Sequence, residues 1–401
     1  MKTIRIPVLH DHHSHPLFYA AFATGVSLDQ VASKDEANDL LSAASKNHEG
    51  ITVAHGWRSN RFDWSSDELE SLPPVAIFNV SLHSLLLNGA GREQLRQHYG
   101  DDVQRLEDRA WYESNLRVVL NWFANLNASA EALRTFFNDL SRLGVYSAEE
   151  LLLVDEREIE LFEQANLTDR TRFWAAPDTF ASLSADAKDQ VHGLKLFTDG
   201  AIGARTAAMK RPYLDDENNL GMLIYSDEEL LQTVSQCLAT KRALAIHAIG
   251  DRAIEQVIVS LEQIGDERRG EKEIRIEHAQ MLDLNLARRA KSLGVCFSMQ
   301  PNFTSDSVDY VDRLDARYCQ GNNPFRILID EVGFVAGKDL IFGSDGMPHG
   351  VEFALQQSLF PAFDQQRLTL DEFVAGYCVA DELKGTIEVS IDEKTRTVSV
   401  D

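Results

Sequence analysis

The sequence predicts an α/β fold, a (β/α)8 TIM barrel with an insertion after the first strand and a small C-terminal β-hairpin. Three observations carry that reading. From about residue 128, short apolar runs alternate with amphipathic helical segments, the pattern of a parallel sheet with crossover helices. Counting a strand just before His13 and a poorly defined one near Val145, the strands number eight. The Gly-rich phosphate fingerprint of a doubly wound open sheet, the runner-up fold, is absent.

In chain order, Ile4 to Leu9 is an apolar run suited to a buried strand, so residues 1–15 are read as the first barrel strand. Residues 16–127 show no regular alternation and are read as an insertion, a cap over a pocket; a packing subdomain with its own core is the alternative. Within it, Ile51 to Trp57 and Val75 to Val80 read as strands and Leu82 to Leu87 as the start of a helix. Residues 128–384 are the remainder of the barrel. Leu133, Phe136, Phe137, Leu140 and Leu143 share one helical face, and Gly144 ends that helix. Strands follow at Arg172 to Ala176, His192 to Phe197, Ala243 to His247, Ile274 to His278, Val295 to Met299 and Leu340 to Asp345. Helices intervene, with Asp251 and Asp283 expected as N-caps. Residues 385–401 read as a β-hairpin outside the barrel.

The totals exclude some classes of function. The 401 residues are 44% hydrophobic and 25% charged, ordinary values for a globular protein. With 39 Lys and Arg against 63 Asp and Glu, the net charge is −24. Such a surface repels nucleic acid and anionic membrane, and it suits either solubility or a salty cytoplasm. Cys237, Cys296, Cys319 and Cys378 are scattered, as expected of reduced thiols. No signal core or membrane-length apolar run is present. A cytoplasmic enzyme acting on a small molecule is expected, and a homodimer is compatible.

The chemistry gathers at strand ends. His13 and His15, two apart on a strand, point the same way. Lys195, His247, His278 and Asp345 end four later strands. In a barrel these ends share one rim, where active sites form. Each has a bland reading alone: His247 bonding a loop, His278 pairing with Glu277, Asp345 capping a turn, Lys195 bridging to Asp199. Together, four histidines and an aspartate suit Zn2+ or another divalent transition metal. The lysine is then anomalous, since an ammonium beside a dication is repelled. It must be displaced, deprotonated or converted to an anion.

The set His13, His15, Lys195, His247, His278 and Asp345, in that order on successive strands, resembles the amidohydrolase superfamily. The words around them resemble its YtcJ-like branch of metal-dependent hydrolases: Gly193 to Ala208, Ile246 to Ala253, Arg275 to Gln280, Met299 to Pro301 and Gly343 to Asp345. Gly56, Trp57, His83 and Asn88 add a weaker match. The resemblance implies a binuclear centre in which Lys195 carries a CO2-derived carboxylate and bridges two ions. His13, His15 and Asp345 would hold one, and His247 and His278 the other. It also implies hydrolysis of a C–N bond, amide or N-acyl, by a metal-bound hydroxide, with Asp345 moving the proton to the leaving amine. Trp57, His83 and Arg205 are the candidate substrate contacts.

Relatives carry a segment ahead of the first barrel strand that builds a β-sandwich with the C-terminal strands. The chain therefore resembles a reduced member, with only the hairpin at residues 385–401 left of that sandwich. The segment Gly376 to Ala380 also lacks the usual Thr-x-x-x-Ala pattern. A ring-amidine deaminase and a catalytically silent metal-binding barrel are the alternative functions. The first commonly lacks the strand-end lysine that is present here.

Overall fold

A computed structural model describes residues 2–28, 30–44, 50–59, 61–79, 84–108, 111–112, 115–265, 270, 272–346, 348–377 and 384–400. The chain forms two compact units, one of Met1–His15, Phe137–Glu160 and Asn166–Asp401, the other of Pro16–Phe136 and Leu161–Ala165.

The first unit is the barrel. Its strands are β2 (Leu9–Ser14), β7 (Val145–Leu153), β8 (Thr171–Ala175), β9 (Val191–Phe197), β10 (Ala243–Ala248), β11 (Ile274–His278), β12 (Cys296–Met299) and β13 (Leu340–Phe342). They lie side by side in the order β13-β12-β11-β10-β9-β8-β7-β2, each parallel to its neighbours. The end of β13 reaches back to β2: the backbone N–H of Asp345 donates to His13 O at 2.6 Å. Gly343 permits this approach, because a Cβ there would stand 2.3 Å from the His13 nitrogen. Apolar strand residues such as Leu194, Leu244, Ile246 and Ile276 pack with Ile254, Val257, Leu261 and Leu286 of the covering helices. Burying these faces is the main favourable term of the fold.

Four local expectations are corrected. The first barrel strand is not Ile4 to Leu9. β1 (Lys2–Pro7) pairs antiparallel with β14 (Thr386–Asp392), and β14 with β15 (Thr397–Val400), in a separate three-stranded sheet. The reason is legible afterwards: Ile4 and Ile6 flank Arg5, and β1 is only partly buried, as in an antiparallel sheet with a wet face. Barrel strand β2 is almost wholly buried and contains His10, His12 and His13 themselves, with His15 one residue past its end. The region near Val145 is a full nine-residue barrel strand. Asp251 is the first residue of its helix rather than the cap; Gly250 is the cap. A Cβ on Gly250 would lie 2.0 Å from Ala208 O, so glycine has to occupy the position. Leu85 to Leu87 is a strand, and the following helix begins at Gly89, capped by the Asn88 side chain accepting from Gly91 N.

The second unit has its own sheet, ordered β3 (Val26–Ser27), β4 (Thr52–Trp57), β5 (Val75–Asn79), β6 (Leu85–Leu87). It also has its own core: Phe22, Phe78, Val119 and Phe123 in one cluster, Leu28, Leu41, Trp57 and Trp64 in another. The unit extends to Phe136, past the expected boundary at residue 127.

Candidate metal centre

β2 breaks the ordinary alternation of a strand. Its register against β7 is irregular between Asp11 and Ser14. His10 and His12 turn toward Glu149 on β7, whereas His13 and His15 turn toward Asp345. A bulge of this kind re-aims side chains near active sites. Asp11 pins the break from one side. Its Oδ1 accepts from His13 N at 3.1 Å and Ser344 N at 2.9 Å. Asp11 thereby orients the end of the strand. Burial raises its carboxyl to about 7, against the opposing hydrogen bonds of Ser344 and His13.

His13 Nε2 and His15 Nε2 lie 3.7 and 3.4 Å from the same Asp345 Oδ1. One ring atom each from His13 and His278 and one oxygen of Asp345 fall within 4.8 Å of one another. The His13 and His278 rings are 4.6 Å apart, and His247 and His278 are 4.5 Å apart. Lys195, 1% exposed, stands on β9 opposite Ala245, two residues before His247. Its charge acts on His13, His278 and Glu277. The strand-end residues His13, His15, Lys195, His247, His278 and Asp345 are thus brought to one neighbourhood.

Each imidazole is held from outside by one nitrogen. His13 Nδ1 meets Glu277 Oε2 at 2.6 Å, and His278 Nδ1 meets Gln300 Oε1 at 2.6 Å. His15 Nδ1 is 3.7 Å from Glu150 Oε1. His247 Nε2 meets Gly200 O at 3.0 Å, with Asp199 Oδ1 at 3.4 Å. This is the arrangement that orients ligating histidines in metal sites. Glu277, Glu150, Gln300 and Asp199 were missed as site residues in the sequence. Glu277 and Asp199 were named only as bland partners of His278 and Lys195; the structure sets Glu277 on His13 and Asp199 beside His247.

The electrostatics favour neutral rings at His13 and His278. Burial, then the Lys195 charge, holds His13 well below the usual imidazole range. Burial, then His247, does the same for His278. At His15 burial also opposes the charged form, but Asp345 and Glu150 outweigh it and the ring is raised. His278 (φ +69°), Ala279 (φ +47°) and Asp345 (φ +52°) all adopt left-handed backbone. Strain of that kind at non-glycine residues clusters at functional sites. His349, four residues beyond Asp345, is a further group the sequence did not single out. Burial lowers it to about 4, and it feels Asp345 and His15.

The expected substrate contacts fare differently. Trp57 is buried in the core of the second unit, where its indole N–H donates to Phe62 O at 2.9 Å. Arg205 has its guanidinium on Asp215, with Asp312 3.9 Å away. His83 lies outside the described residues.

The sequence profile of the Amidohydrolase family matches residues 5–351. The putative amidohydrolase YtcJ of Bacillus subtilis (strain 168) is 36% identical over 365 residues, 78% of this chain and 65% of that protein. The protein LONG AFTER FAR-RED 3 of Arabidopsis thaliana is 26% identical over 361 residues, 77% of this chain and 60% of that one. The chain therefore spans 60 to 65% of the length of these curated relatives. In fold it is similar to an uncharacterised metal-dependent hydrolase from Pyrococcus furiosus (TM-score 0.74, 19% identity, 97% of this chain and 88% of that chain). It is also similar to another from Pyrococcus horikoshii OT3 (TM-score 0.70, 24% identity, 89% and 74%).

Proposed function

Because the chain belongs to the Amidohydrolase family, we propose that it is a metal-dependent hydrolase cleaving a C–N bond, an amide or N-acyl linkage, in a small molecule. The observation that carries this is the inward convergence of His13, His15, His247, His278 and Asp345 around Lys195. The donor set, imidazoles and one carboxylate, fits a divalent transition ion. His247 Nδ1 adds to the fit, being buried with no hydrogen-bond partner among the described residues.

His13, His15 and Asp345 would hold one ion and His247 and His278 a second. Lys195, carboxylated, would bridge them as an anion, which removes the charge conflict of a buried ammonium. Once bound, such ions lower the pKa of water to about 7 and polarise a carbonyl. Asp345, with 22% of its side chain exposed, is the group that can exchange a proton with an incoming molecule. It would take a proton from the attacking water on a carboxylate oxygen and return it to the leaving amine. Glu277, Gln300, Glu150 and Gly200 O keep the rings aimed inward while this proceeds.

Metal analysis of freshly purified protein is the first test. Up to two divalent ions per chain are expected, as in paired-ion hydrolytic sites; a metal-free protein overturns the reading. Lys195→Ala should lose metal and activity together, and full activity in that variant refutes the bridging role. A panel of N-acyl amino acids, formamides, cyclic amides and esters identifies the bond. Turnover of the esters alone would remove the C–N assignment.

A further inference from the structure

Beneath the candidate metal centre the barrel holds a second buried polar cluster, gathered on Glu149 of β7. Glu149 is fully buried. Arg275 of β11 grips it with both terminal nitrogens, Nη1 to Oε2 at 2.9 Å and Nη2 to Oε1 at 3.1 Å. Arg172 donates to Oε1 at 3.1 Å and the Trp174 indole to Oε2 at 2.6 Å, both from β8. From β2, His12 Nδ1 and His10 Nε2 reach the same Oε1 at 3.1 and 3.2 Å. His10 Nδ1 also meets Ser147 Oγ at 2.7 Å.

His10, His12 and Glu149 are close enough to be ligands themselves. The chemistry argues otherwise. Both carboxylate oxygens are already taken by N–H donors, and two guanidinium charges occupy the space a cation would need. A charge-assisted pair of this kind is strong because it is bidentate and desolvated.

We propose that this cluster is a positioning device for the metal ligands: it anchors the lower half of β2, so that the break in the strand delivers His13 and His15 to the rim. The geometry supports this from both sides of the break. Below it, His12 is tied to Glu149, and Arg275 Nη1 comes within 3.5 Å of His12 O. Above it, the His13 N–H is tied back to Asp11, whose carboxylate also accepts from Ser344 N. Residues 12 and 13 are consecutive, yet both turn to the same face of β11: His12 shares Glu149 with Arg275, and His13 meets Glu277, two residues further along that strand. Loss of the lower anchor lets the strand return to ordinary alternation, and alternation turns one of the two histidine pairs out of place.

The inference rests on the metal-site reading, so the test separates the two. Zinc affinity and stoichiometry are measured on metal-stripped protein by competition with a chromophoric chelator, alongside near-UV circular dichroism and cooperative melting. Wild-type protein that binds no zinc refutes the metal-site reading itself. Given wild-type binding, His12→Phe, which fills the volume without a donor, should melt cooperatively and bind zinc about 10 to 100-fold more weakly, the usual effect of losing an outer-shell partner. His12→Asn, whose amide can stand where Nδ1 stands, should bind within about threefold of wild type, in keeping with a retained hydrogen bond. If His12→Phe does not fold, Trp174→Phe takes its place; it removes the donation to Oε2 together with part of the ring beneath Arg275 and should weaken zinc by about threefold or more. Wild-type affinity in the variant that folds reduces the cluster to core packing and overturns the proposal. Loss of one whole zinc equivalent with the rest unchanged would make His12 a ligand, which also overturns it.

Discussion

Asp306 lies just beyond β12, and its Oδ2 accepts from Gln280 Nε2 at 2.8 Å. Burial raises its carboxyl from 3.8 to about 7, the Gln280 bond opposing and Asp309 adding. The folded protein then binds a proton at Asp306 that the unfolded chain has released. Stability from this group is present below pH 4 and is lost as pH rises toward 7. Asp306→Asn keeps an acceptor for Gln280 and removes the titration. Urea unfolding should find the variant about 2 kcal/mol more stable than wild type at pH 8 and little different at pH 4. A gap that does not depend on pH would contradict the assignment. At the rim, Asp345→Asn should lower kcat by about 100 to 10,000-fold, as loss of a general acid–base does, and lose proportionately less metal than activity. Metal content and rate, measured on one preparation, check it. Lys195, His247, His278 and Asp345 were legible because each lies at the end of an apolar run, and His13 and His15 by their spacing of two, since the apolar run before them is β1 of another sheet. Their outer partners were not, since Glu277 and Gln300 are assigned to His13 and His278 only by distances across the barrel.

Among the elements, β2 and β13 show what a sequence pattern can and cannot carry. The parallel strands from β8 to β13 were read from apolar runs of the right length, and those runs are buried as the pattern requires. β1 and β2 were merged, because a six-residue apolar run does not say whether it has one wet face. The break at Asp11 to Ser14 was invisible for a related reason: a bulge is a relation between two strands. The approach of β13 to β2 is equally relational and depends on one missing side chain. Gly343→Ala should press a methyl onto the His13 backbone, costing about 1–3 kcal/mol of stability and lowering metal occupancy with it. Chemical denaturation with parallel metal analysis reads both. A variant with wild-type stability would show that β13 can back away without harm.

At the scale of the whole molecule the net charge of −24 sets the conditions of stability. A surface so unbalanced repels itself, and the folded state suffers more than the expanded chain. Raising KCl from about 0.1 to 1 M shortens the screening length from ~10 to ~3 Å and should raise Tm by several degrees. A flat or falling Tm would mean that local ion pairs such as Arg289–Glu262 already balance the field. Among the described residues no helix is long and apolar enough to cross a membrane. The pairing of β1 with β14 also has a consequence for how the protein is made. Ile4 lies opposite Val389, so a ribosome adding about 5–20 residues per second spends roughly 20 to 80 s between making the two. Throughout that interval β1 lacks the strand that pairs with it in the folded sheet, and its Lys2 and Arg5 are the kind of residue that keeps open edges from joining one another. The small sheet closes only after the barrel strands have been synthesised. Slow translation therefore lengthens the time that β1 spends without its partner.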